Sequence, residues 1–266
     1  MFDMTIKAEG SKDLYQGLVQ ARIWITLGKL ELKQKYRRSM LGPLWATLSM
    51  AIQIAISGFV FSYLFKIDFQ KYLPYLCISL ITWSFLVNSI NEGAVSLINN
   101  SSLLLQVNRP YSAYILLVIW RNVIIYFHML VVYLVVAIIF SVKINLYMLF
   151  IPLGLFLLIA NISWMVLILA IFSSRFRDIP LIVQNALNFL VWLTPIYYDK
   201  NQLGENIKFF LTLNPFTYLI EISRDPFLGR DVEINAWIFS GVFAVFGWTL
   251  AVYLFNRYRK KIIFWI

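Results

Sequence analysis

The sequence predicts an all-α polytopic membrane protein, and three observations carry that expectation. Of its 266 residues 61% are hydrophobic, whereas soluble domains hold roughly 45–50%, and the mean hydropathy is +0.74. Several uncharged runs, such as 44–65, reach the roughly 18–20 residues that an α-helix needs to cross a hydrocarbon core of ~30 Å. These runs are continuously apolar rather than alternating, so they read as helices and not as barrel strands.

Ahead of the first run, Leu14, Leu18, Ala21, Ile25, Leu32 and Tyr36 recur at helical spacing on one stripe. Lys33, Lys35, Arg37 and Arg38 border it. Residues 1–43 are therefore expected to form an amphipathic helix in the interface, its cationic stems over hydrocarbon and its charges at phosphate. Gly42-Pro43 ends that helix, since proline is tolerated in the first turn of the next one. Residues 44–266 then form a six-helix transmembrane unit, with spans expected at about 44–65, 72–91, 113–140, 146–172, 179–198 and 234–256. The first thirty residues lack an apolar stretch with a small-residue cleavage site, so no cleaved signal peptide is expected.

An even number of spans returns both termini to one side, and charge selects the side. Sixteen of the 23 Lys and Arg residues fall with the termini. Positive charge collects on the cytoplasmic face, so both termini are expected in the cytoplasm. The net charge of +10 is read as orienting the chain and touching anionic membrane lipids, not as binding nucleic acid.

Two connections stand out. Between spans two and three, Asn99-Asn100-Ser101-Ser102 leads into Leu103-Leu104-Leu105-Gln106-Val107. This reads as a capped short helix over about 96–107 whose leucines want a partner or the interface. Between spans five and six, the apolar stretch 209–220 is interrupted by Asn214-Pro215. It is too short to span and reads as a re-entrant or interfacial hairpin over about 208–227. Glu221, Arg224 and Asp225 are expected at the outer boundary, where a neutralising pair is the cheapest arrangement.

Much chemistry is excluded. No glycine pair precedes Lys-Ser or Lys-Thr at the spacing of a phosphate-binding loop. His128 is the one histidine and Cys77 the one cysteine, which leaves no paired-His metal motif and no disulfide within the chain, and no carboxylate in the same span to complete a triad with His128. No residue is assigned a catalytic or metal-binding role, and no cofactor is expected in this chain. Carboxylates are scarce inside the spans, so ion-coupled carriage is disfavoured and the driving energy is expected from outside the chain. Aromatic residues remain: Phe59 and Tyr63, Phe189 and Trp192, Tyr197 and Tyr198. They fit an interfacial belt or a lining on which sugar rings stack, and the sequence leaves both open.

Taken together, the Tyr36-Arg37-Arg38-Ser39-x-Leu41-Gly42-Pro43-Leu44-Trp45 junction, the Ser174-Arg175-Phe176-Arg177-Asp178-Ile179 turn, Thr194-Pro195-Ile196-Tyr197-Tyr198 and Asn214-Pro215 resemble the permease subunits of type-2 ABC exporters. The polysaccharide branch, which moves lipid-linked O-antigen, capsule or teichoic acid, is the nearest in pattern. The resemblance implies a homodimer joined to two copies of a separate ABC ATPase subunit that carries ATP and Mg. It also implies ATPase contact through the N-terminal helix, with Arg37 and Arg38, and through Ser101, Ser102, Leu103, Leu104 and Leu105. Phe59, Tyr63, Phe189, Trp192, Tyr197 and Tyr198 become candidates for the substrate channel, and Asn214, Pro215, Tyr218 and Arg224 for an outer gate. Alternatives are a membrane-embedded glycan or acyl transferase using the outer acids, and an ABC exporter of a non-glycan substrate.

Overall fold

The computed structural model describes residues 9–35, 37, 40, 42, 44–106, 109–200 and 204–266, the side chains of 205–207 excepted. Every regular element among the described residues is helical. In chain order these are α1 (Glu9–Val19), α2 (Ala21–Lys35), α3 (Leu44–Phe65), α4 (Phe69–Ala94), α5 (Ser96–Asn99), α6 (Ser101–Gln106), α7 (Tyr111–Ile139), α8 (Ile151–Arg175), α9 (Ile179–Leu190), α10 (Glu205–Leu213), α11 (Pro215–Arg224) and α12 (Ile234–Ile262). Short 3-10 turns precede α8 (Leu146–Phe150) and follow α11 (Asp225–Leu228).

Local chemistry sets many of these boundaries. Asp68, Asn145 and Asn214 each accept a hydrogen bond from the backbone N–H two residues on, which satisfies a donor that the first helical turn leaves unpaired. Pro152, Pro180 and Pro215 occupy first-turn positions, where a missing N–H does no harm. α3 and α7 end alike: Lys66 and Ser141 adopt left-handed backbone, and the next N–H bonds back to Ser62 and Ala137 respectively.

α4 is the axis of the bundle. It is buried from Tyr72 to Trp83 and packs against α3, α7, α8, α9 and α11. The bundle has two ends. At one, α1 and α2 lie across the start of α7 and the finish of α12, and this is called the cuff end. At the other, α11, with α10 attached to it, meets the starts of α4, α8 and α12, and this is called the hairpin end. Both chain-terminal helices reach the cuff end, where Asp13 of α1 pairs with Arg259 of α12.

Among the described residues five helical segments are long and apolar enough to cross a membrane: Leu44–Phe65, Phe69–Ala94, Tyr111–Ile139, Leu146–Arg175 and Ile234–Ile262. Four of the expected spans are thus single helices and the fourth carries a 3-10 first turn. The fifth departs from expectation. α9 has 12 residues and stops at Leu190, and 191–200 continues as turns. Pro195 explains this, because its ring excludes helical backbone at Thr194 and clashes with the carbonyl four residues back. The segment still joins the two ends: Arg177 hydrogen-bonds the Trp265 carbonyl at the cuff end, and Tyr72 and Tyr75 hold the carbonyls of Tyr197 and Tyr198 at the other.

The N-terminal helix also differs from expectation. It breaks at Gln20 into α1 and α2, so the predicted stripe divides: Leu32 is buried, Leu14 half-buried and Leu18 exposed. α1 meets the bundle through Gly10, Asp13 and Gly17 instead. A side chain at Gly10 or Gly17 would strike the α12 backbone or Ser112, so small residues permit the close approach. Of the predicted junction, Tyr36, Arg38, Ser39, Leu41 and Pro43 lie outside the described residues.

Candidate functional site

At the cuff end, α4 runs into α5 and α6, which cover most of the expected 96–107 helix as two short pieces; Val107 lies outside the described residues. Leu104 is buried in the chain's own core, at 5% exposure. Leu103 and Leu105 are exposed at 45% and 60%, Ser102 is exposed and Ser101 half-buried. The leucines therefore divide: Leu104 packs into the chain's own core, and Leu103 and Leu105 face outward. Arg37 is exposed, and Arg38 is outside the described residues.

The same end carries a charged triad absent from the sequence reading. Arg121 of α7 pairs with Glu31 of α2 and, at 2.9 Å, with Glu92 of α4. Asn122 donates to the same Glu92 carboxylate at 2.7 Å. Trp24 of α2 meets Trp120 of α7 edge-to-face beside it, ring centroids 5.9 Å apart. One arginine thus ties the N-terminal helices to the last turn before α5. Asp13 forms a second clip: it accepts from the Tyr111 and Ser112 backbone N–H groups, capping α7, and from Arg259 Nε.

Toward the hairpin end, the chain gathers part of the predicted aromatic set. Trp192 stacks on Tyr197 at 5.4 Å between ring centroids, and Phe61 of α3 lies 4.9 Å from the same tyrosine. Tyr198 donates its hydroxyl to the Trp192 carbonyl. Phe59 and Tyr63 are not part of this group. They stand on the far side of α3 from Phe61, because residues two apart differ by about 200° on a helix, and they are strongly exposed beside a groove with Ser62, Lys66 and Phe69. Phe189 is exposed on α9.

At the hairpin end, α10 and α11 meet at Asn214-Pro215, and this tip points into the bundle. Asn214 donates to the Leu193 carbonyl and the Thr194 hydroxyl, both at 2.9 Å. Phe216 lies edge-on to Trp83, halfway along α4, whereas Arg224 at the other end of α11 reaches Tyr75 near the α4 start. Gly154 lets α8 approach the Ile222 carbonyl, where any side chain would collide. Tyr218 hydrogen-bonds the Thr212 carbonyl of α10 and packs on Phe239 of α12.

Arg224 is the hub here. Its side chain is buried and donates to Asp225, the Tyr75 hydroxyl and the Pro195 carbonyl at 2.7–2.9 Å. The expected neutralising pair is Arg224 with Asp225. Glu221 turns instead to Lys200, 2.9 Å away, which also pairs with Glu233. Asp199 pairs with Arg230. The outer acids are thus largely committed to ion pairs, which is not how a proton-transferring carboxylate is presented. No group of three or more potential metal ligands occurs among the described residues.

A family model described as ABC-2 type transporter matches residues 23–228, from α2 through the hairpin. The chain belongs to the ABC-2 type transporter family. It is a multi-pass membrane permease. It is similar to an O-antigen export system permease protein RfbA of Klebsiella pneumoniae, 22% identical over 244 residues that cover 89% of this chain and 92% of the relative. It is also similar to a protein of the same name from Myxococcus xanthus, 24% identical over 208 residues that cover 77% of this chain and 78% of the relative. The matched region contains α3 to α11, hence the divided leucines, the aromatic group and the Arg224 hub.

Proposed function

We propose that the chain is the transmembrane subunit of an ATP-driven exporter of lipid-linked polysaccharide of the O-antigen, capsule or teichoic acid kind. It acts in the bacterial inner membrane as a homodimer, with two copies of a separate ABC ATPase that binds ATP and Mg. The cuff end, with both termini, faces the cytoplasm. Six crossings follow if the 179–200 segment counts as the fifth, and the inward-pointing Asn214-Pro215 tip is then a re-entrant hairpin in the outer leaflet.

The observation that carries the reading is the exposure of Leu103 and Leu105 on a short helix at the same end as α1 and α2. Apolar side chains left exposed on both flanks of one short helix, with Leu104 packed between them, call for a covering partner. Movement of an ATPase against α6 passes through α5 to α4, and the Glu31–Arg121–Glu92 triad carries α2 and α7 with it. α3 and α9 keep broad open faces, suited to line a path between two copies. The transferase alternative loses support because most of its acids are ion-paired.

The test replaces both exposed leucines, Leu103→Asp with Leu105→Asp. Neither packs in the core, so the protein should insert and fold normally while stoichiometric co-purification of the ATPase is lost. Full retention of the ATPase would remove α6 from the coupling surface.

A further inference from the structure

Gln184, Asn185 and Asn188 share one stripe of α9, being one and three residues apart. All three are exposed, and none of their side chains has a hydrogen-bond partner among the described residues. The opposite face of the helix is apolar and packed: Val183, Leu187 and Leu190 line an apolar cavity with Ile90, Trp164 and Phe216. The stripe therefore lies inside the length of the bundle, between Arg177 at one end and Tyr198 at the other.

An amide side chain left without a partner in hydrocarbon is strongly disfavoured, so three of them on one face argue against lipid contact there. The face meets either water and a solute or another polypeptide. Two observations favour a solute. The small residues that bring membrane helices together are absent from the stripe, and toward the hairpin end it leads to Trp192 and its stacking partner Tyr197.

An amide side chain offers donor and acceptor together, which matches a hydroxyl that is both, and an aromatic face matches the C–H face of a sugar ring. No formal charge occurs on α9 from Ile179 to Leu190, so the surface suits a neutral, hydroxyl-rich chain held by many weak bonds. We propose that Gln184, Asn185 and Asn188 form a hydrogen-bonding track for the hydroxyls of the exported glycan, leading up to the Trp192–Tyr197 ring pair. This deepens the export function proposed above and rests on it.

The experiment uses the full permease–ATPase complex in cells lacking their own permease. Combined Gln184→Leu, Asn185→Leu and Asn188→Leu should lower surface glycan roughly tenfold or more, as expected for several lost hydrogen bonds of about 1 kcal/mol each, with the complex still intact. Asn188→Gln should preserve export. In a Cys77→Ala background, Asn188→Cys should react with a hydrophilic maleimide in membrane vesicles. Undiminished export by the leucine variant overturns the track. So does an unreactive Asn188→Cys together with leucine variants that fall apart into single subunits, which marks a subunit seam instead. Failure of the export reading is distinguishable, because the wild-type complex then moves no glycan at all.

Discussion

The two ends of the bundle hold charge in opposite ways. At the hairpin end, Glu221 and Arg224 are 2% and 4% exposed, and Arg224 ties together α4, the 191–200 turns and α11. At the cuff end, the side chains of Arg121, Glu92 and Glu31 are 18%, 33% and 35% exposed, and exposed leucines remain beside them. A buried ion left without its partner is severely destabilising, whereas a partly wet pair contributes little. The hairpin end is therefore fixed by buried charge within its own chain, whereas the cuff end is held by charge that water still reaches.

The largest effect is expected where the burial is deepest. Arg224→Met leaves Asp225 and the Pro195 carbonyl without their shared donor, at a cost of about 3–5 kcal/mol. Unfolding in detergent, by heat or SDS, measures it. A loss below about 1 kcal/mol, the range of an exposed pair, would erase the contrast between the ends.

Asp13→Ala comes next. It strips the cap from α7 and the partner from Arg259, two contributions that sum to about 2 kcal/mol. The loss should be local: limited proteolysis should release α1 while α3 to α12 remain resistant. Unfolding of the whole bundle at the same protease concentration would show that the clip belongs to the core.

Helical class, most span positions and the special character of 96–107 and 208–227 were legible because each rests on local pattern, such as uncharged length or a proline at a break. The early end of α9 was also written locally, in Thr194-Pro195, but the apolar run continues past it and hides it. Facing direction was not legible. Leu103, Leu104 and Leu105 are chemically identical, and only the packing of α6 buries the middle one. Phe61, rather than Phe59 or Tyr63, meets Tyr197 because helix packing fixes the rotation of α3. The partners of Arg121 and Asp13 lie 29 to 246 residues away, beyond any periodicity. Asp13 is one of four acids in the first 43 residues, with Asp3, Glu9 and Glu31, so nothing local set it apart.

The smallest effect tests which clip holds the cuff. Glu31→Gln removes one of two carboxylates from Arg121, while Glu92 keeps its bonds to both Arg121 and Asn122. The pair is partly exposed, so the expected loss of stability is below about 1 kcal/mol and should shrink further in high salt. Its sign matters less than its rank against Asp13→Ala. If the buried cap anchors the N-terminal helices, Glu31→Gln leaves α1 and α2 protected from protease and changes only how tightly α2 follows α7. If Glu31→Gln instead frees them more readily than Asp13→Ala does, the triad is the anchor and the cap is secondary. The movable joint would then lie between α1 and the bundle rather than between α2 and α7.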